Sequence, residues 1–427
     1  MRRIALLDPT AWAPVLLAWS YAVLLPFGRV SNLSVLLMAI AGGVLLWRQG
    51  RGLMTQGPNR YFGLLFLCIW LPMLVSVPDS VNLNKSLTST ALFPYLYLVG
   101  LFLIHSFREP TARTRLLTLT AWLLVFWVVD VLIQAVFGVD VFGFEPKRER
   151  LQGPFGEENL NMGLVLAMLS PLLFEHARRA WPRWAWVAAF VAVTLVVLLS
   201  STRTAWAIYL LVVIGTLVVM ARRSGANPWR LAGVALLASF VAGYVAYLQV
   251  PIVTQRLDQT LLATQGSYDK VNAATSSRLS LWKGTWRVIV HHPVNGAGVR
   301  AFRYAYPLYA PEGDTLLYTS KSGEVTGEIY AHQILLEVAS ETGIVGLGGL
   351  AFFYVLLVRR PWRRAKNGIG DDWPYWLGAA AWLFPLSTHT AFYSSYWSHL
   401  LWWLLAIAVA AGWGRQDDGK EPAPSHA

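Results

Sequence analysis

An all-α polytopic membrane protein is the fold class this sequence predicts, with about 12 transmembrane helices and one long periplasmic loop containing amphipathic helices. Three observations lead there. Hydrophobic residues make up 56% of the 427-residue chain and charged residues only 14%, whereas a soluble domain carries about 25% charge to face water. Mean hydropathy is +0.46, and the apolar residues fall in runs long enough to cross a bilayer as helices. The 21 Trp, 17 Tyr and 19 Phe suit aromatic belts at two membrane interfaces. A soluble enzyme, a disordered tail and a fibrous protein are excluded on these grounds.

The spans must be helices, because hydrocarbon offers no partner to an unpaired backbone group. In order they are expected at 11–28, 32–47, 61–77, 91–107, 116–138, 158–175, 184–201, 204–221, 230–250, 341–358, 375–392 and 397–413. Residues 1–250 then hold spans one to nine, 251–331 the long loop, 332–413 the last three spans, and 414–427 a short cytoplasmic tail. Met1-Arg2-Arg3 leads into a retained first span rather than a cleaved signal. Cys68 is the single cysteine and lies in an apolar run, which leaves no intramolecular disulfide and no cysteine metal site.

The formal charge of +12 raises nucleic acid as a partner, but the position of the charges answers that. The short loops on one side hold Arg48, Arg51 and Arg60, then Arg108, Arg113 and Arg115, then Arg178, Arg179 and Arg183. Arg222, Arg223, Arg230, Arg359, Arg360, Arg363, Arg364 and Lys366 follow on the same side. With both ends of the chain, 21 of the 35 basic residues lie there. That side is expected to be cytoplasmic, with both termini inside. The positive charge is a topology signal, and no nucleic acid is called for.

The opposite face is built differently. A loop at 139–157 mixes acids and bases, and the segment 251–331 is too long and too patterned for a passive connection. Within it, Leu279, Trp282, Trp286 and Ile289 recur at helical spacing over 276–292, an amphipathic helix at the outer leaflet.

Polar residues inside or beside spans are costly and so mark candidate sites. Arg203, in Ser201-Thr202-Arg203-Thr204-Ala205, joins spans seven and eight with almost no loop. It reads either as a snorkelling interfacial arginine or as a fork for phosphate or carboxylate. Arg278 opens the amphipathic helix after Ser276-Ser277, where a cation is unfavourable unless an anion joins it. His332 precedes span ten with Glu337 and Glu341 five and nine residues on, neither of them one helical turn away. It is either a packed imidazole or a general base. Asp130 and Gln134 sit one turn apart in the outer half of span five, and Lys85 and Arg148 are outer-face cations. His291-His292-Pro293-Val294-Asn295-Gly296-Ala297-Gly298 reads as a loop bend rather than a metal motif. Serine-hydrolase, zinc-protease, P-loop and dinucleotide signatures are absent. An outer-facing arginine set with one histidine suits an anionic, lipid-linked substrate handled with no metal and no cofactor.

The order of these motifs resembles the O-antigen ligase family, which shares a superfamily with O-antigen polymerases and bacterial O-oligosaccharyltransferases. Ser201-x-Arg203-Thr204-Ala205 is followed by Ser277-Arg278-Leu279 with Trp282, then Asn295-Gly296-x-Gly298, then His332 with Glu341-Thr342-Gly343-Ile344-Val345-Gly346. Upstream, Asp130-x3-Gln134-x3-Gly138-x-Asp140 and Gly153-x-Phe155-x3-Asn159 are also similar, so the likeness covers roughly 125–350. Glu157-Glu158 before Asn159 departs from the expected pattern by its charge.

The resemblance implies a GT-C-like architecture in the bacterial inner membrane, with the active site facing the periplasm. It also implies an activity: moving a glycan from an undecaprenyl-pyrophosphate-linked O-antigen donor to a sugar hydroxyl of a lipid A–core acceptor, in lipopolysaccharide biosynthesis. By the same resemblance Arg203 and Arg278 bind pyrophosphate and His332 is the catalytic base or orienter. Asp130, Lys85, Arg148, Asn159, Gly296, Gly298 and Glu337 form a supporting set. Inverting displacement without a metal is expected, membrane lipids being the other partners. Two alternatives stay open: an O-antigen polymerase of the same superfamily, and a transporter or flippase of lipid-linked oligosaccharide. The second predicts mid-membrane charged sites and a pseudo-symmetric repeat, and the sequence displays neither.

Overall fold

The computed structural model describes residues 5–147, 150–225, 266–276, 278–310, 314–319, 323–365, 368–385 and 390–413, with isolated positions between 227 and 264. The expected ninth span (230–250), the tail 414–427 and Arg148 therefore lie outside the described residues.

Helices dominate. The first two, α1 (Trp12–Leu24) and α2 (Ser31–Gln49), form a hairpin turned over 25–30, and α3 (Gly57–Ser76) follows. Span four is divided into α4 (Leu83–Leu92) and α5 (Tyr95–Phe107), with Pro94 between them. Next come α6 (Pro110–Phe137), α7 (Met162–Ala180), α8 (Arg183–Leu199) and α9 (Arg203–Ser224). The long loop contributes α10 (Tyr268–Ala274), α11 (Arg278–His291) and α12 (Phe302–Tyr309). It also carries a two-stranded antiparallel ribbon, β1 (Tyr318–Thr319) with β2 (Val325–Thr326), the only paired strands among the described residues apart from an isolated bridge between Lys147 and Arg150. Finally α13 (Ile334–Ala365), α14 (Trp373–Trp382) and α15 (Ser395–Gly412) complete the bundle.

Among the described residues seven helical stretches are long and apolar enough to cross a membrane, the first of them, Trp12–Gln49, being the α1–α2 hairpin. Arg183–Leu199 is apolar but shorter. The chain is a multi-pass membrane protein. α15 is the central helix, buried from Trp397 to Gly412, as an element apolar on every side should be. The Trp402 ring packs edge-on against Phe62 of α3, Phe93 of the α4–α5 turn and Phe353 of α13. Close packing of spans relies on small residues. A Cβ on Gly42 of α2 would lie 1.9 Å from the Leu98 carbonyl oxygen of α5.

One expected span is corrected. Residues 375–392 do not form a continuous helix: α14 ends at Trp382, and 390–394 are irregular. Pro385 accounts for this, since it cannot donate to a helical carbonyl and disfavours the helical conformation at Phe384. The loops gather at two ends. At the arginine-rich end, the wholly buried Glu175 carboxylate accepts from Arg178 at 2.8 Å and 3.0 Å, Arg179 at 2.7 Å and Arg223 at 3.0 Å. Arg179 and Arg223 also hold the 369–371 loop through Asp371 and the Ile369 and Gly370 carbonyls.

Candidate active site

At the other end the long loop is fastened to the bundle by glycines. The 293–298 bend lies along a break in α13: Ala297 N–H donates to Ser340 O at 2.8 Å, Gly298 N–H to Glu341 O at 3.0 Å, and Ile344 N–H to Pro293 O at 2.9 Å. Gly343 makes the break with φ +62, and a Cβ there would sit 2.1 Å from Val294 O. Gly298, at φ +98, would place a Cβ 2.1 Å from Ser80 Oγ, and Gly296 would press on the Glu341–Thr342 backbone. Two motifs that start 46 residues apart in the chain, Asn295-Gly296-x-Gly298 and Glu341-Thr342-Gly343, are thus two halves of one joint. Gly296 lets two backbones touch, and Gly298 makes room for the Ser80 and Ser86 side chains. The loop continues onto α4, where Ser86 Oγ donates to Val299 O at 2.8 Å. Lys85, at the first turn of α4, is exposed.

That joint fixes α11, whose first residue is Arg278. Arg203, the first residue of α9, reaches across to the turn before α11 and donates to the Ala274 carbonyl and, at 2.9 Å, to Ser276 Oγ. Arg278 is half-buried beside Arg203, Arg150 and Tyr330. Burial, with a lesser contribution from Arg203 and Arg150, pushes the Arg278 guanidinium down to about 10, partly opposed by Tyr330. Tyr330 is itself raised, first by its burial. Three arginines from three loops therefore share one patch and make it electropositive. Arg203 and Arg278 are brought together. Arg150 was missed because its signal was diluted in the mixed-charge run 145–150.

His332 lies next to this patch. Its ring is 4.1 Å from that of Tyr330, and its Nε2 is 4.0 Å from Glu328 Oε2. Glu328 Oε1 also accepts from Tyr318 Oη at 2.7 Å, which pushes the Tyr318 phenol up to about 12. The carboxylate facing His332 is thus four residues upstream, where the ribbon returns the chain. The downstream candidate, Glu337, is buried and turned away: it accepts the Phe392 and Tyr393 N–H groups at 3.0 Å and 3.2 Å. Glu341 accepts Arg300 N–H at 2.7 Å.

The remaining predicted residues organise loops. Asp130 accepts Val141 N–H at 2.8 Å, and Gln134 accepts Gln152 and Gly153 N–H at 2.9 Å and 3.0 Å, which folds the 139–157 loop over α6. That fold carries Arg150 to the patch. Asn159 donates to Pro26 O at 2.9 Å, tying the same segment to the α1–α2 turn. Backbone strain is concentrated here as well. Among the described residues the non-glycine positions with positive φ are Ser201, Ser276, Arg300 and His332, at φ +54, +56, +61 and +52. Each is the histidine itself or lies at an arginine of this end, and such conformations, costing about 1–3 kcal/mol each, gather at functional sites.

The structure is thus a multi-pass helical protein that brings guanidinium groups and an imidazole together at one end of its bundle. Residues 188–351 match the family model described as O-antigen ligase, a stretch that contains Arg203, Arg278 and His332. The match supports a member of the O-antigen ligase/polymerase superfamily, and with it a membrane enzyme of glycan transfer. No curated protein matches the chain.

Proposed function

We propose that the chain is an O-antigen ligase, transferring a glycan from undecaprenyl pyrophosphate to a sugar hydroxyl of lipid A–core at the periplasmic face of the inner membrane. The observation that carries this reading is the convergence of Arg150, Arg203 and Arg278 beside His332. Donor pyrophosphate lies against the three guanidinium groups, which bind its oxygens through charge-assisted hydrogen bonds. The acceptor hydroxyl oxygen attacks the anomeric carbon as the carbon–oxygen bond to pyrophosphate breaks, and the configuration inverts. The bonding pair leaves on the pyrophosphate, whose growing charge the arginines stabilise in place of a metal. The hydroxyl proton passes to His332, and the nearby Glu328 favours the imidazolium that results. Pyrophosphate is already a good leaving group, so no nucleotide is consumed.

The arginine-rich opposite end, with Arg178, Arg179, Arg222 and Arg223, fits the cytoplasmic side. The test is transfer by the purified, detergent-solubilised protein in EDTA, with undecaprenyl-pyrophosphate glycan as donor and lipid A–core as acceptor. A glycan-shifted lipid A–core band is the expected product. Longer lipid-linked glycan from donor alone would replace the ligase by a polymerase. Neither product, with movement of lipid-linked sugar across vesicles, would replace it by a transporter.

A further inference from the structure

A second cavity opens at the looped end, away from the arginine patch. It has a volume of about 490 Å³ and is lined by Phe27 and Arg29 of the α1–α2 turn, by Glu158, Asn159 and Asn161 before α7, and by Tyr396 of α15. No residue of the arginine patch lines it. Its size falls in the range of small-molecule sites, about 300–1,000 Å³.

The wall chemistry narrows the occupant. Apolar faces from Pro26, Phe27 and Phe155 alternate with two side-chain amides, a phenol, a guanidinium and a carboxylate, a mixed lining that suits a sugar, with its C–H faces and hydroxyls, better than a bare acyl chain. The anion site is elsewhere, and here Arg29 shares the rim with a carboxylate, Glu158, which is paired with Lys147. Asn159 spends its amide on the Leu25 and Pro26 carbonyls, at 3.4 Å and 2.9 Å. Asn161 gives one amide hydrogen to Asn159 Oδ1 at 2.8 Å. Its second hydrogen and its own Oδ1 have no partner among the described residues, so it offers a donor and an acceptor side by side. That is the hydrogen-bonding character of vicinal hydroxyls. Phe27, 53% exposed, and the Tyr396 ring add apolar faces suited to the C–H face of a pyranose. Exposed Val30 and Leu33 flank the turn, which sets the mouth at the lipid interface.

We propose that this cavity is a glycan subsite that seats a sugar of a lipid-anchored substrate while the pyrophosphate occupies the arginine patch. The inference rests on the ligase reading for its second half, the placement of pyrophosphate. One loop serves both positions. Arg150 and Glu158 are eight residues apart in the chain, a reach of at most about 28 Å, so a saccharide of a few units spans them. The glycan belongs to the donor or to lipid A–core, two sources of one chemistry.

The test is photocrosslinking in the full-length protein with p-benzoylphenylalanine at Phe27. Lipid A–core lacking O-antigen and undecaprenyl-pyrophosphate glycan are offered separately in detergent, and light-dependent adducts are read on a gel. An adduct with lipid A–core makes the cavity the acceptor subsite; an adduct with the lipid-linked glycan assigns it to the donor. In the assigned case, Asn161→Leu with Arg29→Leu lowers the adduct yield at least fivefold. The same changes raise KM for that substrate about tenfold and leave KM for the other within twofold. Adducts with neither substrate, or with phospholipid alone, overturn the proposal, as does an unchanged yield in a monodisperse double variant. Asn159 is left intact because it anchors the α1–α2 turn. Crosslinking needs no turnover, so an adduct without transfer would spare the subsite and fail the ligase reading, and transfer without an adduct would do the reverse.

Discussion

Arg278→Gln is the sharpest test of the arginine patch. The substitution keeps a polar side chain at the start of α11 and removes one charge from a cluster that holds Arg203 and Arg150. With burial and its neighbours holding the Arg278 guanidinium at about 10, at pH 7 about one molecule in a thousand lacks the proton. The charge is therefore present when substrate arrives. A hydrogen bond to a charged group contributes about 1.5–3 kcal/mol, and each 1.4 kcal/mol is about tenfold. Transfer in the Gln variant should accordingly fall about 10- to 150-fold in kcat/KM for the donor.

The split between constants reports where the contact forms. If Arg278 grips the pyrophosphate equally before and during reaction, the loss appears in donor KM. If its contact strengthens as charge moves onto the leaving group, the loss appears in kcat. Initial rates at varied donor and saturating lipid A–core separate the two. The pH profile adds an independent sign. Only the protonated guanidinium helps, so parental transfer that holds from pH 7 to about 9 should decline as pH rises through about 10. The Gln variant should lack that decline. A variant within twofold of the parent, or one whose loss follows the loss of monodisperse protein, would refute the anion-binding role.

Three further outcomes follow from the geometry. Glu328→Gln removes the carboxylate facing His332 and should slow transfer about tenfold with donor KM unchanged; steady-state rates decide it, and an unaltered kcat would reject the pairing. Gly298→Ala meets Ser80 Oγ at 2.1 Å with φ +98, a strain of about 2–5 kcal/mol. Thermal unfolding in detergent should shift downward and be partly restored by Ser80→Gly, and a lack of rescue would fault the contact. Glu175→Gln strips a buried carboxylate from three partly exposed arginines and should cost about 2–4 kcal/mol, below the fully buried case. Its melting transition should drop while transfer per folded molecule is unchanged, since the arginine knot lies at the opposite end.

What the sequence disclosed followed from which signals are periodic or local. Span identity rests on runs of apolar residues, and α3, α6, α9 and α15 appear near the expected positions. The amphipathic α11, Arg278–His291, appears within the expected 276–292 for the same reason. Span eleven was misjudged because the apolar residues around Pro385 outweigh it in a hydropathy average, which does not register that proline ends the helix. Arg203 and Arg278 stood out because a cation beside an apolar run is conspicuous. Arg150 and Glu328 did not, since each sits in a polar stretch and becomes meaningful only when the 139–157 loop and the β1–β2 ribbon fold back. Gly296 and Gly298 were visible as a motif, but spacing alone gives no distinction between a glycine that admits a ligand and one that admits Ser80 or the Glu341 backbone.

The two ends of the bundle treat charge in opposite ways, and that contrast bears on function. At the arginine-rich end, Arg178, Arg179 and Arg223 converge on Glu175, with Asp371 sharing Arg179, so guanidinium charge is neutralised within the fold. At the looped end the buried carboxylates are committed to backbone N–H groups: Asp130 to Val141, Asp140 to Phe142 and Phe144, Glu337 to Phe392 and Tyr393, Glu341 to Arg300. Those carboxyl oxygens hold loop backbone in place, while the clustered Arg278 has its proton affinity lowered first by burial and then by Arg203 and Arg150. A fold that merely needed to place arginines at an interface would not require strained backbone at Ser201, Ser276 and His332 around them. Strained turns that bring guanidinium groups together are the preorganisation that the proposed pyrophosphate donor would turn into binding and leaving-group stabilisation.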